Sequence, residues 1–197
     1  MREMFKLFAV VTLFGAVSGG LLAGVRAGTK ERIEYQQIKF VKGPAILEIM
    51  KGCANDPLTA RFKIKDGKEE RSFFVGVFDG KPNTVAFETS GKGYGGDLNI
   101  VVAVNVDKDV IVGVGVTTHR ETPGVGSRAK TDTRFAAQFK GQPIGEPFRV
   151  KADGGKIDAL SGATVSSRGV CGAVVSSGEI YRRLKASIVE KTKSTKS

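Results

Sequence analysis

The feature that most constrains this chain is a run of nineteen residues without a charged side chain, from Leu7 to Val25. A helix of that length can cross the hydrocarbon core of a membrane. Small residues recur along the run at a spacing that suits packing against other membrane helices, at Gly15, Gly19, Gly20 and Gly24. The sequence therefore predicts a membrane anchor over residues 1–26. The alternative is a cleaved signal peptide, but the run is longer than the usual apolar core of one.

The net charge of +11 is concentrated at the two ends of the chain. Residues 1–32 carry a net charge of +3 and residues 182–197 carry +5, whereas residues 33–181 carry twenty basic and seventeen acidic side chains. No basic stripe with interleaved aromatic residues is present, which argues against a nucleic-acid partner. Basic ends favour contact with the anionic headgroups of membrane lipid. We expect a basic tail over 186–197, and a solvated, disordered segment is the interpretation we favour for 190–197.

Hydrophobic alternation and turn residues predict an antiparallel sheet in the middle of the chain. Asp66-Gly67 and Asp79-Gly80 are turn signals, and Asp107-Lys108-Asp109 separates two runs rich in Val and Ile. Alternation in the first of these runs predicts a half-buried strand, with Ile100, Val102, Val104 and Val106 on one face. Strands are expected at 61–65, 71–77, 84–88, 98–106 and 110–117. Because no repeated βαβ unit is present, the expected fold class is α+β.

Helical patterns occur in the sequence before the first predicted strand and after the last strand of this sheet. A connecting helix is predicted over 33–52 with an interruption near Gly43-Pro44, and a second helix is predicted from Ser127 to Phe139. A short strand is expected from Phe148 to Lys151. The last helix is expected to start beyond Thr164, with Ser166 and Ser167 as candidate N-caps. It carries a stripe of residues at helical spacing, namely Val170, Ala173, Val174, Ser177, Tyr181, Leu184 and Ile188.

Residues 158–167, Asp-Ala-Leu-Ser-Gly-Ala-Thr-Val-Ser-Ser, place a turn of small residues in front of that last helix. The N-terminus of a helix presents unpaired N–H groups and a partial positive charge, which together stabilise a bound phosphate. Gly162 and Ala163 leave room for a ligand to approach the backbone. From these physical considerations alone, a capped helix after a tight turn is the commoner explanation of the pattern.

The segment Asp158 to Thr164 resembles the flavinylation motif of the FMN-binding domain family. That family includes the G subunit of the Rnf electron-transport complex and the C subunit of the sodium-pumping NADH:quinone reductase. Val125 stands where the family leads us to expect Leu. Four further segments resemble the Rnf protein in the expected order, namely Asn55-Asp56-Pro57, Gly93-Tyr94-Gly95-Gly96, Glu121-Thr122-Pro123-Gly124-Val125-Gly126 and Lys151-Ala152-Asp153-Gly154-Gly155.

The resemblance implies that FMN is bound covalently, through a phosphoester bond to Thr164. It also implies noncovalent cofactor contacts at Ser161, Gly162, Ala163, Ser166, Ser167, Glu121, Thr122 and Gly124. In this arrangement the N–H groups of Ser166 and Ser167 hold the phosphodiester, with Arg168 as a neighbouring cation. Glu121 and Thr122 hydrogen-bond the polar edge of the flavin ring. The alternative for this second loop is a structural turn that closes an edge of the sheet.

The resemblance further implies a redox subunit that relays electrons in an ion-translocating complex and is not a catalyst on its own. Its implied partners are the other membrane and redox subunits and a flavin transferase that uses FAD as donor. The implied location is the cytoplasmic (inner) membrane, crossed once, with the soluble domain on the outer, periplasmic face; local charge counting alone favours the opposite orientation. The alternatives are a free-standing covalent-FMN module, acting as a flavin sensor or as donor for an extracellular reductase, and a structural adaptor without a flavin.

The expected order of segments follows from these patterns. It is a membrane anchor (1–26), a connecting segment (27–52), the N-terminal part of the soluble domain (53–92), the FMN-binding domain (93–185) and the basic tail (186–197). His119 is the only histidine, so the sequence predicts no metal site and no catalytic residue. Cys53 and Cys171 belong to no C-x-x-C or haem-attachment motif, and a disulfide between them stays open.

Overall fold

The N-terminal part of the chain is a long apolar helix. The computed structural model describes residues 2–67 and 69–194, which form two compact units with their boundary between Ile38 and Lys39. In the first unit, helix α1 spans Arg2–Gln36 and has no buried residue. Its apolar side chains, such as those of Phe14 and Leu22, are about 70% exposed (71% and 70%). Within the described residues, this is the one helical stretch long and apolar enough to cross a membrane.

The helical stretch continues beyond α1 in an irregular form. A π-helical segment covers Gln37–Lys42, and α2 spans Gly43–Ile49. The predicted connecting helix is therefore present, and its irregularity lies directly ahead of Gly43-Pro44. Pro44 sits in the first turn of α2, where its missing N–H group costs no helical hydrogen bond.

The second unit is built on a five-stranded antiparallel sheet with the order β1-β2-β3-β4-β5. All five predicted strands are present, and each pairs with its neighbour in sequence. The strands span Arg61–Asp66, Glu69–Phe78, Lys81–Lys92, Asp97–Asn105 and Val110–Thr118. The α+β fold class predicted from the sequence is confirmed.

Strand β4 is buried on both faces, which corrects the half-buried strand expected from its alternation. Ile100 and Val102 belong to the main hydrophobic core on one face of the sheet. Val101 and Ala103, which point to the other face, are also fully buried. Helix α2 lies on that other face, since a Cβ atom at Gly113 of β5 would lie 2.9 Å from Ile49 Cβ. The alternating pattern therefore marked only one of two buried surfaces.

The core on the first face is covered by a long C-terminal helix, α5, which spans Thr164–Ser194. The predicted stripe is confirmed: Val170, Ala173, Val174, Ser177, Tyr181 and Ile188 are buried, and Leu184 is partly buried against them. Helix α5 approaches the end of β3 closely at two glycines. A Cβ atom at Gly169 would lie 2.6 Å from the Lys92 carbonyl oxygen, and one at Gly91 would collide with the Gly169 carbonyl.

Helix α5 also extends through most of the predicted basic tail. The disordered segment expected over 190–197 is wrong for residues 190–194, which are helical. Thr192 is fully buried, and its hydroxyl donates to the Ile188 carbonyl at 2.6 Å. The Lys191 ammonium donates to the Lys63 carbonyl on β1 at 2.8 Å, so this end of the helix is attached to the sheet. Residues 195–197 lie outside the described part of the chain.

Two other predicted elements differ from the structure. The helix expected from Ser127 to Phe139 is two short helices, α3 (Arg128–Thr131) and α4 (Thr133–Ala137). They are separated because Asp132 is extended and its carboxylate caps α4 by accepting from the N–H groups of Arg134 and Phe135. The strand expected from Phe148 to Lys151 is reduced to a single bridge between Val150 and Ile157. The chain then enters a 3-10 turn, Lys151–Asp153, instead of pairing further.

The close approach of α5 to β3 gives a stability prediction. Gly169→Ala should lower the free energy of unfolding by about 1–3 kcal/mol, because the added methyl group overpacks against rigid backbone. Gly172→Ala is the matched control on the same helix, since a Cβ there meets nothing within 4 Å. It should raise stability by up to about 1 kcal/mol through helix propensity. Urea unfolding of the full chain in detergent, followed by circular dichroism, compares the two, and equal effects would contradict the packing assigned to Gly169.

Candidate functional site

The turn ahead of α5 is held in one shape by its own backbone and by Gln138, the residue that follows α4. The Ala163 N–H donates to the Leu160 carbonyl at 2.9 Å and closes the turn. Gly162 has φ +76°, a conformation that favours glycine. The side chain of Gln138 fixes the strand-like segment that leads into the turn, because it accepts from the Asp158 N–H (2.7 Å) and donates to the Asp158 carbonyl (3.1 Å).

The helix begins at Thr164, so the expectation that Ser166 or Ser167 is its N-cap is wrong. The Ser167 N–H already makes a helical bond to the Ala163 carbonyl at 3.0 Å, which makes Ala163 the cap residue. The Ser167 hydroxyl is fully buried and connects the helix to the turn. It accepts from the Leu160 N–H and donates to the Ala163 carbonyl, each at 3.0 Å. Ser167 therefore fixes the turn and is not available for a ligand.

Thr164 lies where the turn ends and the helix starts, and it is half-buried. A helix that starts there leaves the N–H groups of Thr164, Val165 and Ser166 without a helical acceptor. These groups, and not the N–H of Ser167, are the ones that can bind an anion at this helix end. The neighbouring side chain of Val165 is 43% exposed, and Ser161 and Gly162 are exposed. Thr164 is thus a half-buried residue at an electropositive helix end, with exposed residues on both sides.

Beneath this helix end lies the buried carboxylate of Glu121, whose side chain joins three segments. One oxygen, Oε2, accepts a hydrogen bond from the Ser166 hydroxyl in the first turn of α5. The other, Oε1, accepts from the Gly95 N–H at 2.9 Å. Glu121 itself starts the loop 121–126 and is only 5% exposed. Glu121 and Ser166, each expected to contact the cofactor, thus contact each other as two buried side chains.

The environment of Glu121 favours its ionised form. Burial raises the pKa of a carboxyl group, but here the hydrogen bonds from the Ser166 hydroxyl and from the N–H groups of Gly95 and Tyr94 outweigh it. The pKa of Glu121 is consequently lower than its ordinary value of 4.5. A charged carboxylate with these donors is already satisfied, so it acts on the site through the elements it holds.

The loop that follows Glu121 is exposed and adjoins the turn. Thr122 and Gly124 are exposed, and the Gly124 N–H donates to the Ser127 hydroxyl at 2.9 Å. Val125 is 42% exposed, and its Cγ1 lies 3.9 Å from the position a Cβ would take at Gly162. Arg128, at the start of α3, donates to the Ser161 carbonyl at 3.4 Å. The structure therefore brings the loop 121–126 and the turn 160–163 together at one surface.

The sequence analysis missed one feature of the site and did not anticipate the partner of another. Tyr94, in the glycine-rich segment 93–96, is 78% exposed, although the N–H of the next residue, Gly95, donates to the buried Glu121. An aromatic residue between glycines was the signal that could have identified it. The second is Arg168, which was expected beside the phosphate but pairs with the Asp153 carboxylate at 2.6 and 2.7 Å.

Other reactive groups of the described residues do not form a second site. Both cysteines are free thiols, and burial raises the pKa of Cys171 to about 11. The Cys53 thiol contacts the Asn55 carbonyl at 3.1 Å. His119 accepts a hydrogen bond from the Glu121 N–H at 3.3 Å through Nδ1. No cluster of metal-ligating side chains occurs in the part of the chain that the structure describes.

The lowered pKa of Glu121 gives a pH-dependent stability prediction. At neutral pH, Glu121→Gln should destabilise the protein by about 2 kcal/mol, because a neutral amide cannot accept from all of these donors. A carboxyl group whose pKa is lowered by folding stabilises the folded state at pH values above its ordinary pKa of 4.5. This stabilisation is lost as the pH falls through the pKa of the folded state. The difference between wild type and variant should therefore shrink as the pH falls below 4.5.

Urea unfolding of both proteins over a series of pH values measures this difference. Glu146→Gln is the control, since Glu146 is a half-buried carboxylate whose partner at 3.4 Å, Lys156, is exposed, and such a pair should contribute little. A wild-type advantage that stays constant from neutral to acid pH would show that the charge of Glu121 does not stabilise the fold.

Comparison with known proteins shows to which family the segments of this site belong. The family model of the FMN-binding domain matches residues 93–177, a range that holds the segment 93–96, the loop 121–126 and the turn with Thr164. Among solved structures, NqrC of Shewanella oneidensis is similar to this chain. The TM-score is 0.53 and the sequence identity is 26%, and the match covers 70% of this chain and 72% of that one.

Two relatives match nearly the whole chain, and both are G subunits of an ion-translocating oxidoreductase complex. The one from Pseudomonas aeruginosa is 32% identical over 186 residues, which cover 88% of this chain and 86% of that protein. The one from Methanosarcina acetivorans is 31% identical over 176 residues, which cover 88% of this chain and 92% of that protein. The resemblance inferred from the ordered motifs is confirmed. The chain belongs to the family of G subunits of ion-translocating oxidoreductase complexes and carries its FMN-binding domain.

Proposed function

We propose that this chain is a membrane-anchored flavoprotein subunit that relays electrons within an ion-translocating oxidoreductase complex, with FMN attached to Thr164 through a phosphoester bond. The observation that carries the proposal is the position of Thr164. Its side chain is the first of α5, it is half-buried at the surface, and it follows a turn fixed by Gln138 and Ser167. A phosphoryl group on its oxygen lies beside the free N–H groups of the first helical turn.

The residues of the site fit this cofactor. The N–H groups of Thr164, Val165 and Ser166 suit the phosphodiester, and Gly162 leaves the backbone of the turn accessible. Thr122, Gly124 and Val125 present an exposed surface beside the turn for the rest of the cofactor. Bound FMN supplies reversible electron transfer through its ring system. An exposed position is suited to exchange with the redox centre of a partner, since a relay needs no enclosed substrate pocket.

Attachment requires a second protein in this proposal. The Thr164 oxygen bonds to the phosphorus of the FMN half of FAD, the pyrophosphate bond breaks, AMP leaves with the bridging oxygen, and the hydroxyl proton is released. A threonine hydroxyl is a weak nucleophile, and the nearby carboxylate of Glu121 is fully engaged by its donors. A separate flavin transferase therefore supplies the base and the donor, and it recognises the turn with the exposed Asp158.

The remaining parts of the proposal concern location and partners. Residues 1–26 anchor the chain in the cytoplasmic membrane and contact lipid, and residues 93–185 bind FMN on the outer face. The relatives are named as subunits of a complex and are matched over 86–92% of their length, which favours a complex subunit over a free-standing flavin module. The partners are then the other membrane and redox subunits of that complex.

Attachment of FMN to Thr164 predicts the masses of the wild-type protein and of two variants at this position. Wild-type protein from a host that contains the flavin transferase should carry the mass of one FMN less one water, and Thr164→Ala should have its unmodified mass. Thr164→Ser is the matched control, because it keeps a hydroxyl group at the same position and should retain at least part of the modification. Intact mass spectrometry and in-gel flavin fluorescence report both. Covalent flavin on the Thr164→Ala protein would place the attachment elsewhere.

Membership of a complex predicts what purifies with the chain. Affinity purification from native membranes in a mild detergent should retain several other subunits and a flavin-dependent redox activity. The same preparation from Thr164→Ala should retain the subunits but lose electron transfer, because the fold is unchanged and the cofactor is absent. Recovery of the wild-type chain alone, with its flavin, under several detergents would support the free-standing module.

A further inference from the structure

The buried carboxylate of Glu121 is the point where the separate parts of the site meet. Its two oxygens contact the first turn of α5, through the Ser166 hydroxyl, and the segment 93–96, through the N–H group of Gly95. Its own backbone starts the loop 121–126, and its N–H is held by His119. Three segments that are distant in the sequence are thus attached to one side chain.

Two glycines pack closely against this carboxylate. A Cβ at Gly126 would lie 2.5 Å from Oε2 of Glu121 and 2.7 Å from the Ser166 hydroxyl oxygen. A Cβ at Gly93 would collide with Oε1 of Glu121 and would lie 2.7 Å from Leu98 Cδ1. Ser166 is 2% exposed and Glu121 is 5% exposed. Glycines on both sides therefore allow the backbone to enclose the carboxylate completely.

An amide of the same shape cannot replace this group. Both hydrogen bonds to the carboxylate come from donors, the Ser166 hydroxyl and the Gly95 N–H. Glutamine would direct its NH2 group at one of these donors and leave a buried donor without an acceptor. The contact that holds the first turn of α5, two residues from Thr164, to the segment 93–96 would then be weakened.

We propose that Glu121 is a positioning residue for flavin attachment, which holds the first turn of α5 against the segment 93–96 and the loop 121–126 so that the Thr164 hydroxyl is presented in one orientation. The inference rests on the proposed function, because it concerns the reaction of Thr164 with FAD. Glu121 acts through Ser166 and the loops and does not itself contact the reacting atoms. A small displacement of a reacting group is enough to slow such a transfer strongly.

The test is a steady-state assay with purified full-length chain, obtained without the transferase, as the protein substrate. The flavin transferase and FAD are added, and covalent flavin is followed by in-gel fluorescence and intact mass. Glu121→Gln should lower kcat by about tenfold or more, with KM for the protein substrate unchanged within about twofold, because the exposed docking surface is intact and only the hydroxyl is misplaced. Ser166→Ala should lower kcat as well.

Two controls separate positioning from loss of fold. Ile188→Val removes one methylene from a fully buried residue at the far end of α5, and it should destabilise the chain without changing kcat. In a double-mutant cycle, Glu121→Gln with Ser166→Ala should be no slower than Glu121→Gln alone, because both variants break the same contact. Thermal unfolding of each variant confirms that it is folded at the assay temperature.

The outcomes distinguish this inference from the proposed function. Equal kcat for wild type and Glu121→Gln, fully additive losses in the cycle, or an equal loss with Ile188→Val would each overturn the positioning role and leave Thr164 as the attachment site. Wild-type chain that gains no covalent flavin in the presence of an active transferase would overturn the proposed function, and this inference with it.

Discussion

The packing of one helix across the sheet determines where the functional site lies. Helix α5 covers the core formed by β3 and β4, and it approaches β3 at the glycine pair Gly91 and Gly169. The helix is anchored again at its far end, where Lys191 donates to the Lys63 carbonyl of β1. With both ends held on the sheet, the position of the first helical residue is fixed as well. That residue is Thr164, so the fold itself presents a hydroxyl group at a helix N-terminus.

A second layer of contacts adjusts that position locally. Gln138 and Ser167 hold the turn that precedes Thr164, and Glu121 holds the helix end against two loops. These contacts are buried or backbone-directed, whereas the residues around them are exposed. The site therefore combines a backbone that is fixed by these hydrogen bonds with an exposed surface. That combination suits a tethered redox cofactor, which needs a fixed attachment point and access to a partner.

The sequence predicted the elements of this fold better than the roles of its site residues. Alternation and turn residues identified the five strands, and helical spacing identified the stripe of α5 from Val170 to Ile188, because both patterns record burial. The break at Asp132 depends on two local hydrogen bonds and the cap at Ala163 on one, and no periodicity reveals such contacts. Glu121 was expected at the surface of the flavin, yet it is buried, because its donors come from residues 26 positions earlier and 45 positions later in the chain. Contacts of that range follow from the folded arrangement alone.

The central claim is that one side chain in the turn carries the cofactor, and peptide mapping tests it most directly. Trypsin cleaves after Lys156 and Arg168, so a single peptide, 157–168, contains Ser161, Thr164, Ser166 and Ser167. Protein from native membranes should yield this peptide with one FMN, and fragmentation by electron transfer should assign the phosphoester to Thr164. Flavin located on one of the three serines, or this peptide recovered only in its unmodified form, would contradict the account.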